Sequence, residues 1–477
     1  MRIRPAPGRN ERGTLADTQA IEEDTMTDVM HADLTAAVAA AFPAARAALE
    51  RLVRIPSVRA EGAGTPAMRE AAEAAAGMLT AIGFEGVRLL EVQGVAPAVY
   101  AERAGPPGAP TVLLYAHYDV QPVGDLSLWT ATPFDPVERD GRLYGRGASD
   151  DKAGIAMHLA ALQALLACGP LPVSVRVFFE GEEEQGSPHL TAFLDAHGAL
   201  LTADVIVVAD SEHWRAGEPA LTTSLRGIVD CEVEVRTARA AVHSGQFGGA
   251  IPDAISALAR LLATLHDDAG RVAIDGLVRA GTAPVDEDET HLREAAGMLP
   301  GTQFIGEGPL SARLWLQPAV SVLALDAPRI SEAVNALVPV ARAKVSVRLA
   351  PGQDPVAAMD ALVAHLESHS PWGAQVTVTR GSMSAPFLLD TSGAAFEAFR
   401  TGLHEAWGRA PVEIGVGGSI PLVAALAAAQ PGAAILLTGV GEPLSRIHGP
   451  DESQDLEELR RGALAEAIAL RLIGERS

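Results

Sequence analysis

The sequence predicts an α/β fold: a mostly parallel sheet covered on both faces, with a smaller α+β unit inserted into it. Three observations carry this. Continuous apolar runs alternate with helical stretches up to about residue 220, the order of elements changes between about 221 and 381, and the alternation resumes from about 382. In chain order, apolar residues recur at helical spacing over 36–53, and a second helical stretch covers 66–82 before Gly83 breaks it. Strand-like runs follow at 86–91 and 97–103, then TVLLYAHYDV (111–120), VSVRVFFEG (173–181) and ADVIVVAD (203–210), with a helical run at 152–167. The inserted part reads IVDCEVEV (228–235), a helix at 252–266, AVSVLAL (319–325), ARAKVSVRL (341–349), a helix at 355–369 and AQVTVTR (374–380). That β-α-β-β-α-β order is the ferredoxin-like signature. The stretch 270–317 is rich in Gly, Pro and acidic residues and reads as irregular, and AAILLTGV (433–440) reads as a buried strand. The expected organisation is a larger α/β domain made of 31–220 and 382–477, an inserted domain of 221–381 and a disordered tail of 1–30. The tail has four arginines followed by Glu22, Glu23 and Asp24, without the apolar centre of a secretory signal, and Met26 and Met30 offer later starts.

Composition excludes some functions. The 477 residues carry 37 Lys+Arg against 60 Asp+Glu, a formal charge of −23, and no segregated basic run. Such a surface repels polyanions, so neither nucleic acid nor an anionic membrane is an expected partner. No uninterrupted apolar run reaches the roughly 18–20 residues that cross a bilayer. The two cysteines, Cys168 and Cys231, sit in apolar or strand-like contexts and read neither as a secreted disulfide framework nor as a thiolate metal site, which points to the cytoplasm.

The chemistry gathers at strand ends. His117 and Asp119, two residues apart, leave the same face at the carboxyl end of a strand, where open α/β sheets place their sites. VFFEGEEE supplies Glu180, Glu182, Glu183 and Glu184, and VIVVAD supplies Asp210. One acidic strand end is usually a solvated loop or cap group, whereas three with the same chemistry form a pattern. The Gly145-x-Gly147 spacing does not make a dinucleotide fingerprint, because Asp150 stands where the third glycine would be and would repel a pyrophosphate. P-loop, G-x-S-x-G and H-E-x-x-H motifs are absent. What remains is a set of carboxylates and imidazoles suited to divalent Zn, Mn or Co, with enough carboxylates for one to be shared between two ions.

AHYDVQP (116–122), WTATPFDPVERDGRLYGRGASDDKAG (129–154), EGEEEQGS (180–187), VVAD (207–210), HSGQFGG (243–249), VRLAPGQ (347–353), GGSIP (417–421) and IHGPDE (447–452) resemble, in order, the di-zinc metallopeptidase family of aminoacylases, carboxypeptidase G and carnosinases. The loop 129–154 is most similar to the carnosinase and non-specific dipeptidase branch. The resemblance implies a catalytic domain of 31–220 and 382–477, with 221–381 as its lid and dimerisation domain. It implies one ion held by His117, Asp150 and Asp210 and a second by Asp150, Glu184 and His448, with Asp150 bridging. The ions are expected to be Zn2+, with Mn2+ or Co2+ as alternatives. Asp119 would orient His117, and Glu183 would be the general base. His243, Asn335, Arg348, Gly418 and Ser419 match positions that contact substrate, whereas His158, His189, His197, His213, His266, His365 and His369 match no family site and read as surface or helix-face residues. The peptide between Asp150 and Asp151 is expected to be cis. The implied activity is hydrolysis of dipeptides or short peptides by a homodimer, and the alternative on the same centre is an N-acyl amino acid amidohydrolase or carbamoylase. Asp at 210, where deacylases of the family tend to carry Glu, favours the dipeptidase. Two departures concern the substrate pocket: proline falls one place late in Asn335-Ala336-Leu337-Val338-Pro339, and Val416 replaces the acidic residue often found before GGSIP.

Overall fold

The computed structural model describes residues 16–475 except 419, and of 16–31 and 421 the backbone only. The chain opens with α1 (Ala16–Val53) and α2 (Pro66–Ala81), then β1 (Glu85–Leu90), β2 (Ala98–Arg103), β3 (Thr111–His117), β4 (Val137–Arg139), β5 (Arg142–Tyr144), α3 (Lys152–Cys168), β6 (Ser174–Glu180), α4 (Leu190–His197), β7 (Val205–Val208) and β8 (Ala220–Leu225). The inserted part holds β9 (Gly227–Arg236), β10 (Val242–His243), α5 (Ser244–Phe247), α6 (Ala254–Ala263), α7 (Glu289–Ala295), α8 (Leu310–Trp315), β11 (Ala319–Asp326), β12 (Ala336–Leu337), β13 (Val340–Leu349), α9 (Pro355–Ser368) and β14 (Gln375–Ser384). The chain returns through β15 (Phe387–Leu388), α10 (Ala394–Trp407), β16 (Val412–Val416), α11 (Pro421–Ala429), β17 (Ala434–Leu437), β18 (Ser453–Asp455) and α12 (Leu456–Glu475).

The large sheet runs β1-β2-β6-β3-β7-β17-β8-β15, with β16 beside β8. Its centre is parallel, β6 with β3, β3 with β7 and β7 with β17, and the pairs flanking it along this path are antiparallel, while β16 lies parallel to β8. The central strands are apolar runs because both faces are covered. Phe179 of β6 stacks on His158 of α3, while its neighbour Phe178 packs on Phe193 of α4, so these two helices lie on opposite faces. Helices α1, α3, α12 and α10 pack side by side in one layer. Residues 32–53 of α1 are apolar and long enough by composition to cross a membrane, a feature not evident as an uninterrupted run. Leu34, Val38, Leu49 and Leu52 of that helix are fully buried in the core.

The inserted sheet is antiparallel in the order β11-β13-β9-β14, the ferredoxin-like arrangement that the element order predicts. Strand β9 alternates, with Val229, Cys231, Val233 and Val235 fully buried beneath α6 and α9. Asp253 and Asp354 cap these two helices by accepting from Ser256 N and Ala357 N. The insertion enters and leaves through neighbouring segments: Leu225 of β8 pairs with Phe387 of β15, and Ile228 with Ser384. A Cβ on Gly227 would lie 2.6 Å from both Ser384 O and Pro386 N, so only glycine admits this approach. The stretch 270–317 holds α7 and α8 in otherwise irregular chain, and Trp315 meets Trp214 of the main body edge-on, ring centroids 5.8 Å apart.

Two expectations need correction. Of the tail 1–30, residues 1–15 lie outside the described residues, but from Ala16 the backbone is already helical and continuous with α1. His158, His213 and His365, expected on surfaces or helix faces, are buried. His158 Nδ1 lies 2.8 Å from Glu466 Oε2 on α12, and its Nε2 lies 3.0 Å from the carbonyl oxygen of Tyr115 on β3. Sequence periodicity could not show this, because the partners come from two elements, α12 and β3, distant from α3 in the chain.

Burial opposes the His158 charge, but the Glu466 carboxylate beside it outweighs burial and raises the pKa. A folded-state value above the unfolded one means that the pair stabilises fully below about pH 6.5 and less as pH rises through the folded value. His158→Gln, which leaves Glu466 buried without its cation, is expected to lose about 3–5 kcal/mol near pH 6. Unfolding midpoints of both proteins between pH 5.5 and 9.5 check this, and the gap should narrow as pH rises.

Candidate metal centre

Two donor groups form at the carboxyl edge of the large sheet: His117, Asp150 and Asp210, and Asp150, Glu184 and His448, each with ligand atoms within 4.8 Å of one another. His117 ends β3, Asp210 follows β7, and Glu183 and Glu184 lie in the turn after β6. Asp150 precedes α3 across a cis peptide to Asp151, as the resemblance implies. His117 Nε2 lies 3.0 Å from Asp150 Oδ1 and 3.9 Å from Asp210 Oδ1, and His448 Nε2 lies 2.9 Å from Asp150 Oδ2 and 3.2 Å from Glu184 Oε2. Asp150 thus turns one oxygen to each imidazole.

The rest of the local structure holds these donors still. Asp119 Oδ1 is 3.4 Å from His117 Nδ1, and its Oδ2 accepts from Glu184 N, so one buried carboxylate touches both groups. Asp151 caps α3 through Gly154 N and accepts from His117 N. Glu183 Oε2 lies 4.0 Å from His117 Nε2 and accepts no hydrogen bond among the described residues.

Electrostatics favours a cation here. Burial first, then the charge of Asp210, pushes Glu183 well above the usual carboxylate range. Burial and Asp150 push Asp210 up as well, against the pull of His117. Burial also acts on Asp150, but the imidazoles of His117 and His448 beside it outweigh burial and hold that carboxyl low. The fully buried Nε2 of His117 makes no well-aligned hydrogen bond among the described residues, although Asp150 Oδ1 lies 3.0 Å away, and it faces this cluster. An orphaned imidazole nitrogen among converging carboxylates fits divalent metal, whose charge would relieve the repulsion.

Four of the donors, Asp150, Glu184, Asp210 and His448, line a cavity of about 770 Å3 that also takes in Arg348 and Gly418. Arg348, on β13, has no carboxylate partner among the described residues, and burial lowers its pKa. Arg226 lies behind the loop that carries Gly418, where burial and the charge of Arg348 bring it down to about 10. His243 and Asn335 lie elsewhere. His243 pairs with Ala336 across β10 and β12, Asn335 O accepts from Ser244 N, and both side chains are exposed and outside the cavity lining. Ser419 lies outside the described residues.

Four supporting residues carried no sequence signal of their own. Glu452, fully buried, accepts from Ser149 N and Asp150 N on Oε1 and from Gly147 N and Arg146 Nη1 on Oε2. Arg146 also donates to the carbonyl oxygens of His448 and Gly449. Gln121 Nε2 donates to Glu184 Oε2 at 2.7 Å. Lys152 Nζ, which burial brings down to about 7, donates to Leu52 O and Ile55 O and ties the start of α3 to the end of α1. All four fall inside the quoted sequence blocks, but only their contacts reveal what they do.

Shared donors of this kind, at this edge of an α/β sheet, are the apparatus of metal-dependent hydrolases, the class to which fold and site assign the protein. The family follows from comparison with known sequences. Residues 113–471 match peptidase family M20/M25/M40, and the chain belongs to it. It is 37% identical over 372 residues, 77% of this chain and 82% of the relative, to the cysteinylglycine-S-conjugate dipeptidase of Corynebacterium striatum. With the Beta-Ala-His dipeptidase of Rattus norvegicus it shares 28% over 345 residues, 68% of this chain and 70% of that one. The fold matches the dipeptidase Dug1p of Saccharomyces cerevisiae with a TM-score of 0.80 at 23% identity, covering 93% of this chain and 98% of that one. Human carnosine dipeptidase 1 matches with a TM-score of 0.80 at 22% identity, covering 94% and 99%.

Glu452→Gln leaves Arg146 buried without its anion and weakens the hold on the Asp150 loop. It is expected to cost about 3–5 kcal/mol of stability and about 10–100-fold in metal affinity. Thermal unfolding with and without added Zn2+, together with metal titration, checks both.

Proposed function

We propose that this protein hydrolyses the peptide bond of dipeptides with two divalent ions, Zn2+ first among them and Mn2+ or Co2+ as alternatives. One observation carries the reading: Glu183, a carboxylate outside both donor groups, stands free beside them, 4.0 Å from His117 Nε2. The dipeptidase names of the curated relatives support the substrate class.

His117, Asp150 and Asp210 would hold one ion, and Asp150, Glu184 and His448 the other. When bound, the ions supply the Lewis acidity that polarises a peptide carbonyl and makes water a nucleophile near neutral pH. Asp119 fixes the His117 ring through Nδ1 so that Nε2 faces the cluster. Glu183 takes the proton of the attacking water and passes it to the departing amine nitrogen. Arg348 takes the substrate carboxylate, and Gly418, in the same cavity lining, and Ser419 are read as further substrate contacts.

His243 and Asn335 would complete the site from a second subunit. In one chain they are exposed on the inserted domain and do not line the cavity. Edge strand β11 leaves Leu323 and Leu325 61% and 64% exposed, an apolar edge suited to pairing with a second copy. We therefore read the inserted unit as a lid and dimerisation domain and the protein as a homodimer, with His243 of the partner subunit donating to the oxyanion that forms on the scissile carbonyl. The two free thiols, Cys168 and Cys231, support a cytoplasmic location.

Three outcomes are expected. The metal-loaded protein should cleave unblocked dipeptides in preference to N-acyl amino acids in a hydrolysis panel, and chelation should abolish the activity until metal is restored. Glu183→Gln should lower kcat by about 10²–10⁴-fold with metal content unchanged, whereas Glu184→Ala should lose metal as read by elemental analysis. His243→Ala should lose about 10²–10³-fold in kcat, and mixing it with Glu183→Ala subunits should restore activity, because one site of the hybrid dimer is intact. Confirmed subunit exchange without recovery rejects the shared site.

A further inference from the structure

Beyond the two donor groups, the cavity is lined by four more carboxylates: Asp151, Glu183, Glu212 and Asp230. Asp151 accepts from His117 N and Gly154 N, and Asp230 pairs with Lys344 and accepts from Ser382 N. Glu183 already has a role in the reading above. Glu212 is different: it makes no hydrogen bond and no ion pair among the described residues, and it belongs to neither donor group.

Its mounting is rigid. Glu212 forms a parallel bridge with Gly441, and His213 N donates to Gly441 O at 2.8 Å. His213 is buried, accepts from Ala220 N and meets Trp407 edge-on. A Cβ on Gly441 would lie 3.3 Å from Glu212 Cγ and 3.2 Å from Ser149 Oγ, so the glycine leaves room for the acid to pass toward the cavity beside Asp150. The same cavity contains Arg348, which has no anionic partner among the described residues. It therefore carries an unpaired cation and an unpaired anion on fixed elements, the complement of a zwitterion. A partly dehydrated carboxylate without a counter-charge is costly, and a ligand that brings the counter-charge removes that cost.

We propose that Glu212 is a specificity-determining residue that accepts the free α-ammonium group of the substrate. The proposal rests on the dipeptidase reading and names the end of the peptide that this wall recognises. An ammonium suits a lone carboxylate: it is a compact charge with three donors and no need for further ligands. Arg348 takes the carboxylate end, so the amino end of the same peptide meets Glu212, and a substrate lacking that amine leaves the acid unpaired.

Binding is measured by calorimetry on full-length, metal-loaded protein in a Glu183→Gln background, so that the readout does not depend on turnover. The probes are Ala-Ala, Lys-Ala and propionyl-alanine, the last being Ala-Ala without its amine. Adding Glu212→Gln should weaken Ala-Ala about tenfold to hundredfold, the loss of a charge-assisted hydrogen bond. Propionyl-alanine should stay within about twofold, and Glu212→Asp should recover part of the affinity. In the parent enzyme Glu212→Gln should raise KM for Ala-Ala far more than it lowers kcat, with metal content unchanged. Equal weakening of Ala-Ala and propionyl-alanine, or no change in either, overturns the proposal. Weakening confined to Lys-Ala assigns Glu212 to a side-chain ammonium and overturns the α-ammonium assignment. Failure of the dipeptidase reading is seen separately, as absence of dipeptide hydrolysis by the parent enzyme.

Discussion

The ion pair between Arg146 and Glu452 is the constraint on which the rest of the site depends. Asp150 and His448 belong to loops on opposite sides of the inserted unit, and both donor groups need them in register. Glu452 gathers the amides of Gly147, Ser149 and Asp150, and Arg146 reaches back to the carbonyls of His448 and Gly449. The two loops are thus fastened to each other as well as to the sheet. A contact of this kind between buried ions adds little net stability over apolar packing, but it specifies one arrangement, because each ion is costly without the other. His448 itself sits at φ 65°, a conformation uncommon for a side-chain-bearing residue, and the Arg146 contact to its carbonyl holds it there.

The centre is built at an electrostatic loss that only a cation recovers. Glu183, Glu184 and Asp210 are all raised first by burial and then by one another or by Asp150. The surrounding frame makes that tolerable: Asp119, Asp151 and Gln121 fix the donors through amides and side chains distributed over several elements. Preorganisation of this sort keeps the donor positions narrow, which is what a reaction requiring aligned groups demands.

Much of the fold was legible in the sequence because its signals are local. Apolar runs such as 205–208 announce buried parallel strands, and the alternation in β9 announces a sheet with one covered face. That His117, Asp150, Glu184, Asp210 and His448 gather at one place was legible from strand ends and from ordered sequence blocks. The supporting contacts were not. Glu452, Gln121 and Lys152 act on partners far away in the chain, and nothing about an isolated Glu, Gln or Lys marks such a task. His158 misled for the same reason, since a histidine on a helix looks solvent-facing until the partner on α12 is seen.

The side-by-side entry and exit of the inserted unit bear on how the chain reaches this structure. Strands β8 and β15 are neighbours in the large sheet, yet a whole folded unit separates them along the chain. Closing so long a loop from an extended state carries a loop-closure entropy that grows with length. When β9 and β14 pair first, Ile228 and Ser384 come into register, and the gap left to close shrinks to a few residues around Gly227 and Pro386. In that order of events the insertion would act as a clasp: its own assembly would deliver the two halves of the larger sheet to each other, and the strands that precede Asp210 and His448 would not have to search for one another across an open chain.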